Sequence, residues 1–339
     1  RSLSFADLLA QAEALAGWLQ AQGVAKGDRV IVFMQNCPQF VVAVQAVLRA
    51  DAVVVPVNPM NKADEFGHYI ADSGARVALT TADLAGIVAQ ANAGLPEARR
   101  LQHTVATRFT DAMPEVIDPA EMPVEAVLQW LRSDPALPAG TTRWVDALAA
   151  GHAPGPHTAG PDDMALLPYT SGTTGLPKGC IHTHRTLMHN TVGGGVWGHG
   201  GPEVVSLGVV PMFHITGFVY GALGSVAGGS TTVILPRWDR ELAGRLISRH
   251  RVSHWTCIPT MIIDLFGSPN YRSFDLSSMR YLSGGGAAMP QAVAERLQQE
   301  FGLTFAEGYG LTETAAPSHA NPPERAKLQC LGIPLFGTD

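Results

Sequence analysis

Charge and aromatic side chains are both scarce in this chain. Charged residues make up 15% and aromatic residues 7% of its 339 positions. The formal net charge is −6, and the basic residues are scattered, with no run of Lys and Arg. Nucleic acids reward clustered cations that displace counterions from phosphates, so no nucleic-acid partner is expected. Only four cysteines occur, Cys37, Cys180, Cys257 and Cys330, far apart and without a Cys-x-x-Cys pair. That spacing argues against a disulfide framework and a zinc site, and it fits reduced thiols in a cytoplasmic protein. Long hydrophobic runs are missing too. The best, Val41 to Leu48, is interrupted by Gln45 and closed by Arg49, well short of a membrane span. The first residues do not read as a signal peptide.

What is present is a hydrophobic content of 46% on a chain long enough for two domains. Ser4 with Asp7 three residues on predicts a capped helix, with Phe5, Leu8, Leu9, Ala12, Leu15, Ala16 and Leu19 at helical spacing until Gly23. Strands are expected at Arg29 to Met34, Ala52 to Val57 and Arg76 to Thr80, with helices at Gln39 to Arg49 and Lys62 to Ser73. Later strands are expected at 203–210, 231–235, 253–257, 280–283 and 304–306, with helices at 240–250, 260–266 and 290–301. This alternation predicts βαβ units and mostly parallel sheets. Residues 1–110 read as a first α/β subdomain and 164–339 as a second. Between them, 111–163 carries prolines at 114, 119, 123, 135, 138, 154, 156 and 161 and reads as a connecting surface excursion with one short helix.

The stretch 169–179, Tyr-Thr-Ser-Gly-Thr-Thr-Gly-Leu-Pro-Lys-Gly, follows an apolar run at 164–169. Three glycines let backbone N–H groups curl inward, while hydroxyls and one lysine add donors and positive charge, as a polyphosphate needs. It is not a Walker A loop, because Lys178 follows Pro177 and precedes Gly179. Alone, it also reads as a Gly/Thr turn between strand and helix.

As a whole string it resembles the phosphate-loop signature of the adenylate-forming, AMP-binding superfamily. That superfamily comprises acyl- and aryl-CoA synthetases, peptide-synthetase adenylation domains and luciferases. Further segments resemble the superfamily's motifs in the same order, and together they cover nearly the whole chain. Glu307-Gly-Tyr-Gly-Leu-Thr-Glu313 is the second strong match. The resemblance implies that Tyr309 stacks on adenine, Thr312 donates to the α-phosphate and Glu313 holds Mg2+. It also implies that Thr170, Ser171, Thr173, Thr174 and Lys178 act on the phosphates of ATP, around Gly172 and Gly175. Gly285, Gly286 and Ala287 correspond to the adenine-lining segment, with Glu307, Gly308 and Gly310 beside them. His214 corresponds to the residue that gates the carboxylate pocket, flanked by Phe213, Gly284, Trp238 and Met261. The bland alternatives are a packed strand-end histidine, a tight turn at 284–286 and ordinary helix capping by Asp239. His182-Thr-His184 lacks a third ligand and reads as the entry to a helix.

No acidic residue occurs between Pro211 and Arg237, where peptide-synthetase domains carry an Asp for a substrate ammonium, so an amino-acid substrate is disfavoured. The resemblance implies an AMP-forming ligase for a fatty or aryl acid, using ATP, Mg2+ and CoA as co-substrate; a homodimer is also considered. Loading of a carrier protein, a luciferase-like oxidation and a non-catalytic nucleotide- or acyl-binding module stay open. The chain starts without Met and ends shortly after an unfinished stretch. It is therefore expected to be the large N-terminal domain only, without the small C-terminal domain and its catalytic lysine, and nearly inactive by itself.

Overall fold

Ser4 caps the helix Phe5–Ala21 with a reciprocal pair of bonds. Its hydroxyl accepts from the Asp7 N–H at 3.1 Å, and the Asp7 carboxylate accepts from the Ser4 N–H at 3.0 Å. Two donors that the first turn leaves orphaned are thereby satisfied. Leu8, Ala12, Leu15, Ala16 and Leu19 form the buried stripe. The computed structural model describes residues 2–170 and 175–338. They fall into two units, Arg1–Val116 with Val124–Leu187, and Ile117–Pro123 with Met188–Asp339.

The first unit holds β1 (Arg29–Phe33), β2 (Val53–Pro56), β3 (Val77–Thr81), β4 (His103–Thr107), β5 (Thr141–Arg143), β6 (Met164–Leu166), β7 (Tyr169–Thr170), β8 (Lys178–Gly179) and β9 (His182–Thr183). Among the described residues, seven of these form one sheet in the order β5-β4-β3-β1-β2-β6-β9. Every pairing is parallel except β6 with β9. Strands buried on both faces read as unbroken apolar runs, as β2 does, while β3 is equally buried but ends in Thr80 and Thr81. Phe33, Val55, Phe66, Ile70 and Val88 centre the core on one face.

In the second unit, β10 (Val205–Gly208), β11 (Thr231–Ile234), β12 (His254–Cys257), β13 (Tyr281–Gly284), β14 (Phe305–Leu311), β15 (Ala316–Ala320) and β16 (Ile333–Pro334) follow. Their sheet runs β11-β10-β12-β13-β14-β15-β16, parallel from β11 to β14 and antiparallel beyond. The helix Arg240–His250 begins where the Asp239 carboxylate accepts from the Glu241 and Leu242 N–H groups, both at 3.0 Å. The helices Pro259–Phe266 and Gln291–Phe301 complete a core around Ile247, Trp255, Leu282 and Phe305.

Two expectations about domain layout change. The segment 111–163 is not a single surface excursion. Residues 117–123 belong to the second unit, where Arg249 pairs with Asp118 at 2.6 Å and Glu121 at 2.8 Å. Thr141–Arg143 adds a parallel edge to β4, and the helix Trp144–Ala149 buries Trp144. A three-residue edge strand is too short to show alternation in the sequence. The second boundary also moves. Residues 164–187 go with the first unit, so the loop 169–179 lies there and not in the second.

Candidate functional site

The loop stems are a small antiparallel hairpin, β7 against β8, with Tyr169 opposite Gly179 and Thr170 opposite Lys178. The helix Ala63–Ser73 fastens it. Tyr169 Oη donates to the Asp72 carboxylate at 2.7 Å, and His68 Nε2 donates to the Pro177 carbonyl at 2.9 Å. The Tyr169 ring stands edge-on to Tyr69 with centroids 4.8 Å apart. Burial first, then the bond to Asp72, pushes the Tyr169 phenol well above its usual range, so it stays a neutral donor. Lys178 and Gly175 are exposed and Thr170 is half-buried. Ser171, Gly172, Thr173 and Thr174 lie outside the described residues. Sequence reasoning missed His68, Tyr69 and Asp72, which nothing in the sequence ties to a loop about a hundred residues away.

In the second unit the candidate residues cluster at strand ends. A Cβ on Gly284 would stand 1.8 Å from the Cys257 carbonyl oxygen, and one on Gly285 would stand 2.5 Å from that of Gly308. Close strand packing therefore demands both glycines. Gly286 differs: it takes φ +82°, and a Cβ there would meet only Ile258, at 3.9 Å. A left-handed backbone with open space beside it is what a flat ligand ring can approach. Ala287 follows on an exposed surface. Glu307 is buried, and its Oε1 accepts from the Met289 N–H at 2.6 Å. Its carboxylate thus anchors the glycine segment and faces inward.

Beyond Glu307, β14 carries Gly308, Tyr309 and Gly310 to the strand end, with Tyr309 45% exposed and edge-on to His319 at 6.3 Å. Gly310 is held by packing, since a Cβ would approach the Ala316 oxygen to 2.0 Å. Thr312 and Glu313 occupy a single turn, Thr312–Thr314, with Glu313 exposed. The turn ends in left-handed Ala315 and Ala316, at φ +55° and +83°. Buried Asn190 stabilises this strained bend. Its amide donates to the carbonyls of Thr314 at 2.5 Å, Ala315 at 2.9 Å and Pro317 at 3.2 Å. The sequence reading did not single out Asn190, because an amide in a helix carries no local mark of such a partner.

His214 caps the short helix Ile215–Gly217, its Nδ1 accepting from the Thr216 N–H at 3.4 Å. The residue reaches solvent, yet protein atoms crowd its ring, and this desolvation holds the imidazole below the usual histidine range. Phe213 beside it is half-buried. Trp238 and Met261 pack into the core instead: Trp238 Nε1 donates to Asp264 at 2.7 Å, and its ring stacks on Trp255 at 5.8 Å. A cavity of about 110 Å3 opens within the unit, and none of Phe213, His214, Trp238, Met261 or Gly284 lines it. Its walls include Gly194, Gly198, Tyr220, His254, Tyr281 and Ser283. The glycine run at 193–195 inside the helix His184–Trp197 was the available signal, since interior helix glycines call for a packing reason.

Among the described residues no group of three or more His, Cys, Asp and Glu is placed to hold a metal ion. No described helix is long and apolar enough to cross a membrane. The long-chain-fatty-acid–CoA ligase of Bacillus subtilis (strain 168) is 30% identical over 336 residues, covering 95% of this chain and 57% of that protein. Feruloyl-CoA synthase from an Amycolatopsis species is 32% identical over 343 residues, covering 100% of this chain and 60% of that protein. The chain thus spans somewhat under two thirds of these curated relatives. Among solved structures, an anthranilate CoA ligase in complex with anthranoyl-AMP matches with a TM-score of 0.84 at 20% identity, over 98% of this chain and 60% of that one, a likeness of fold. The family model for AMP-binding enzymes matches residues 1–339, end to end, and the chain belongs to that family.

Proposed function

We propose that the full-length protein is an AMP-forming acid–CoA ligase, which joins a carboxylate to AMP with loss of pyrophosphate and then passes the acyl group to the thiol of CoA. The observation that carries this reading is the pair of motifs at 169–179 and 307–313, each at a strand end and each braced by buried or half-buried polar contacts. The names of the two relatives, both ligases or synthases of CoA thioesters, point the same way.

Two anions must meet in such a reaction, so alignment and charge neutralisation do most of the catalysis. Lys178, with the backbone around Gly172 and Gly175 and the hydroxyls of Thr170, Ser171, Thr173 and Thr174, binds and orients the phosphates. Tyr309 stacks on adenine opposite Gly286 and Ala287, with Gly285, Gly308 and Gly310 shaping the wall and Glu307 holding it. Thr312 donates to the α-phosphate. His214, neutral in its crowded pocket, borders the acid together with Phe213 and Gly284; Trp238 and Met261 support that wall from the core. Mg2+ characteristically takes one or two protein carboxylates plus substrate phosphates, and the single exposed Glu313 fits that requirement. When bound, Mg2+ supplies charge that offsets the phosphates.

A cytoplasmic location fits four cysteines that are all free, and sedimentation of the full-length protein tests for a homodimer. The deciding experiment follows pyrophosphate release by the full-length protein with Mg-ATP and a panel of fatty, aryl and amino acids, with and without CoA. Release plus a CoA thioester is the expected result. Release without a thioester would indicate carrier-protein loading, and no release would leave a binding module.

A further inference from the structure

The cavity in the second unit carries more information than the ligase reading uses. Its volume of about 110 Å3 is somewhat below the roughly 150 Å3 of an engineered cavity that takes up benzene. One wall is the helix His184–Trp197 with Gly198 just after it, bare of side chains where two phenols approach. A Cβ on Gly194 would stand 2.9 Å from both Cε1 and Oη of Tyr220, and one on Gly198 would stand 3.0 Å from Cε1 of Tyr281. Glycine disfavours a helix interior relative to Ala, so at Gly194 seating the Tyr220 ring outweighs helix propensity.

The polar groups around the cavity are unequally occupied. His254 is fully engaged, with Nε2 2.9 Å from the Gly198 carbonyl and Nδ1 2.9 Å from Ser253 Oγ. The Tyr281 hydroxyl is hydrogen-bonded to Ser283. Tyr220 Oη alone of the three finds no hydrogen-bond partner among the described residues. A desolvated tyrosine hydroxyl ordinarily has a partner, and leaving one unmade is unfavourable. The cavity wall adjoins the candidate site along the chain. Ser283 precedes the segment 284–286, and Thr216 and Gly217 follow His214.

We infer that this cavity receives the tail of the acid, and that the tail is a single aromatic ring bearing a hydroxyl that bonds to Tyr220 Oη. A long acyl chain, with more than twice the carbon of one ring, matches the space less well. The inference rests on the ligase reading and narrows it from fatty or aryl acids to hydroxylated aryl acids.

The test uses the full-length enzyme with Mg-ATP and CoA. It compares benzoate and cinnamate with their 3- and 4-hydroxy counterparts, and all of them with palmitate. A hydroxylated acid is expected to exceed its parent in kcat/KM by about tenfold or more, with palmitate poor. Tyr220→Phe removes a hydroxyl that no described residue uses, so its thermal midpoint should stay near that of the unaltered protein. It should abolish the preference, bringing the ratio of kcat/KM for the hydroxylated acid to that for its parent down to about one. Palmitate as the best substrate, or an equal loss for both acids in Tyr220→Phe, would overturn the inference while sparing the ligase reading. No pyrophosphate release with any acid would sink that reading and this inference with it.

Discussion

Tyr169 reaches across 97 positions of sequence to donate its phenolic hydrogen to the carboxylate of Asp72, at 2.7 Å. Since β7 and β8 form only a two-residue ladder, that bond and the His68 contact hold the hairpin in place. Tyr169→Phe keeps the edge-on packing against Tyr69 and removes the bond. A loss of about 1 kcal/mol is expected, which would raise KM for ATP about fivefold if it falls entirely on the hairpin. Steady-state kinetics at varied ATP, alongside a urea titration, check this; an unchanged KM would refute the bracing role.

Lys178 and Glu313 are both exposed, so replacing either should leave the fold intact. If they serve the phosphates and Mg2+, Lys178→Met and Glu313→Gln should each lower kcat/KM about a hundredfold to a thousandfold. Glu313→Gln should also raise the Mg2+ concentration needed for half-maximal rate. Pyrophosphate release at varied Mg2+ reads both effects, and full activity in either variant would remove that residue from the mechanism.

Glu307 and Asn190 act differently, by holding backbone. Glu307→Ala leaves the Met289 N–H without its partner in a buried setting, which should destabilise by about 1–3 kcal/mol. Asn190→Ala strips an amide donor from three carbonyls of the bend after Glu313 and should lower stability in the same range. Denaturant midpoints of the two variants measure these losses. Midpoints equal to that of the unaltered protein would show that water replaces the lost partners.

Acid should weaken the second unit in a defined direction. Burial, opposed in part by the Gly198 carbonyl, holds His254 below its ordinary value of 6.5. The folded state therefore binds this proton less readily than the unfolded chain. Stability is fully present above 6.5 and declines as the pH falls below it towards the folded value. His214 shifts the same way in this unit, as do His103 and His184 in the first. Urea midpoints across this range should slope downward towards acid, and His254→Gln should flatten the slope. An unaltered slope would place its origin elsewhere.

Local signals were the legible ones. Ser4 with Asp7 and Asp239 before Arg240 announce their helices because a cap is satisfied within a few residues. The helix 240–250 matches its expected limits, and each strand expected from an apolar run is found within about two residues of its start, whereas β4, β5, β9, β15 and β16, polar or very short, are not expected. Long-range contacts left no trace. Asp72, His68 and Asn190 serve loops far away in the chain, and no spacing betrays that. Glycines carry a second reason that no spacing shows. At Gly284, Gly285 and Gly310 neighbouring carbonyls exclude a Cβ, so packing as well as any ligand calls for glycine there. Trp238 is named because its segment resembles the flank of the acid pocket, and its partners Asp264 and Trp255 are not visible in the sequence.

The short stretch 117–123 has a further consequence. Because it is attached to the second unit while the residues on either side belong to the first, the chain passes between the units three times, after Val116, Pro123 and Leu187. A single protease cut in any one of these passages leaves the halves joined by covalent strands elsewhere. A gene segment starting at Met188 would likewise encode an incomplete unit, with Arg249 deprived of Asp118 and Glu121, and Arg245 of the carbonyls of Ala120 and Met122. Each folded unit is thus discontinuous in the gene, and shuffling whole units between relatives requires exchanging two segments together.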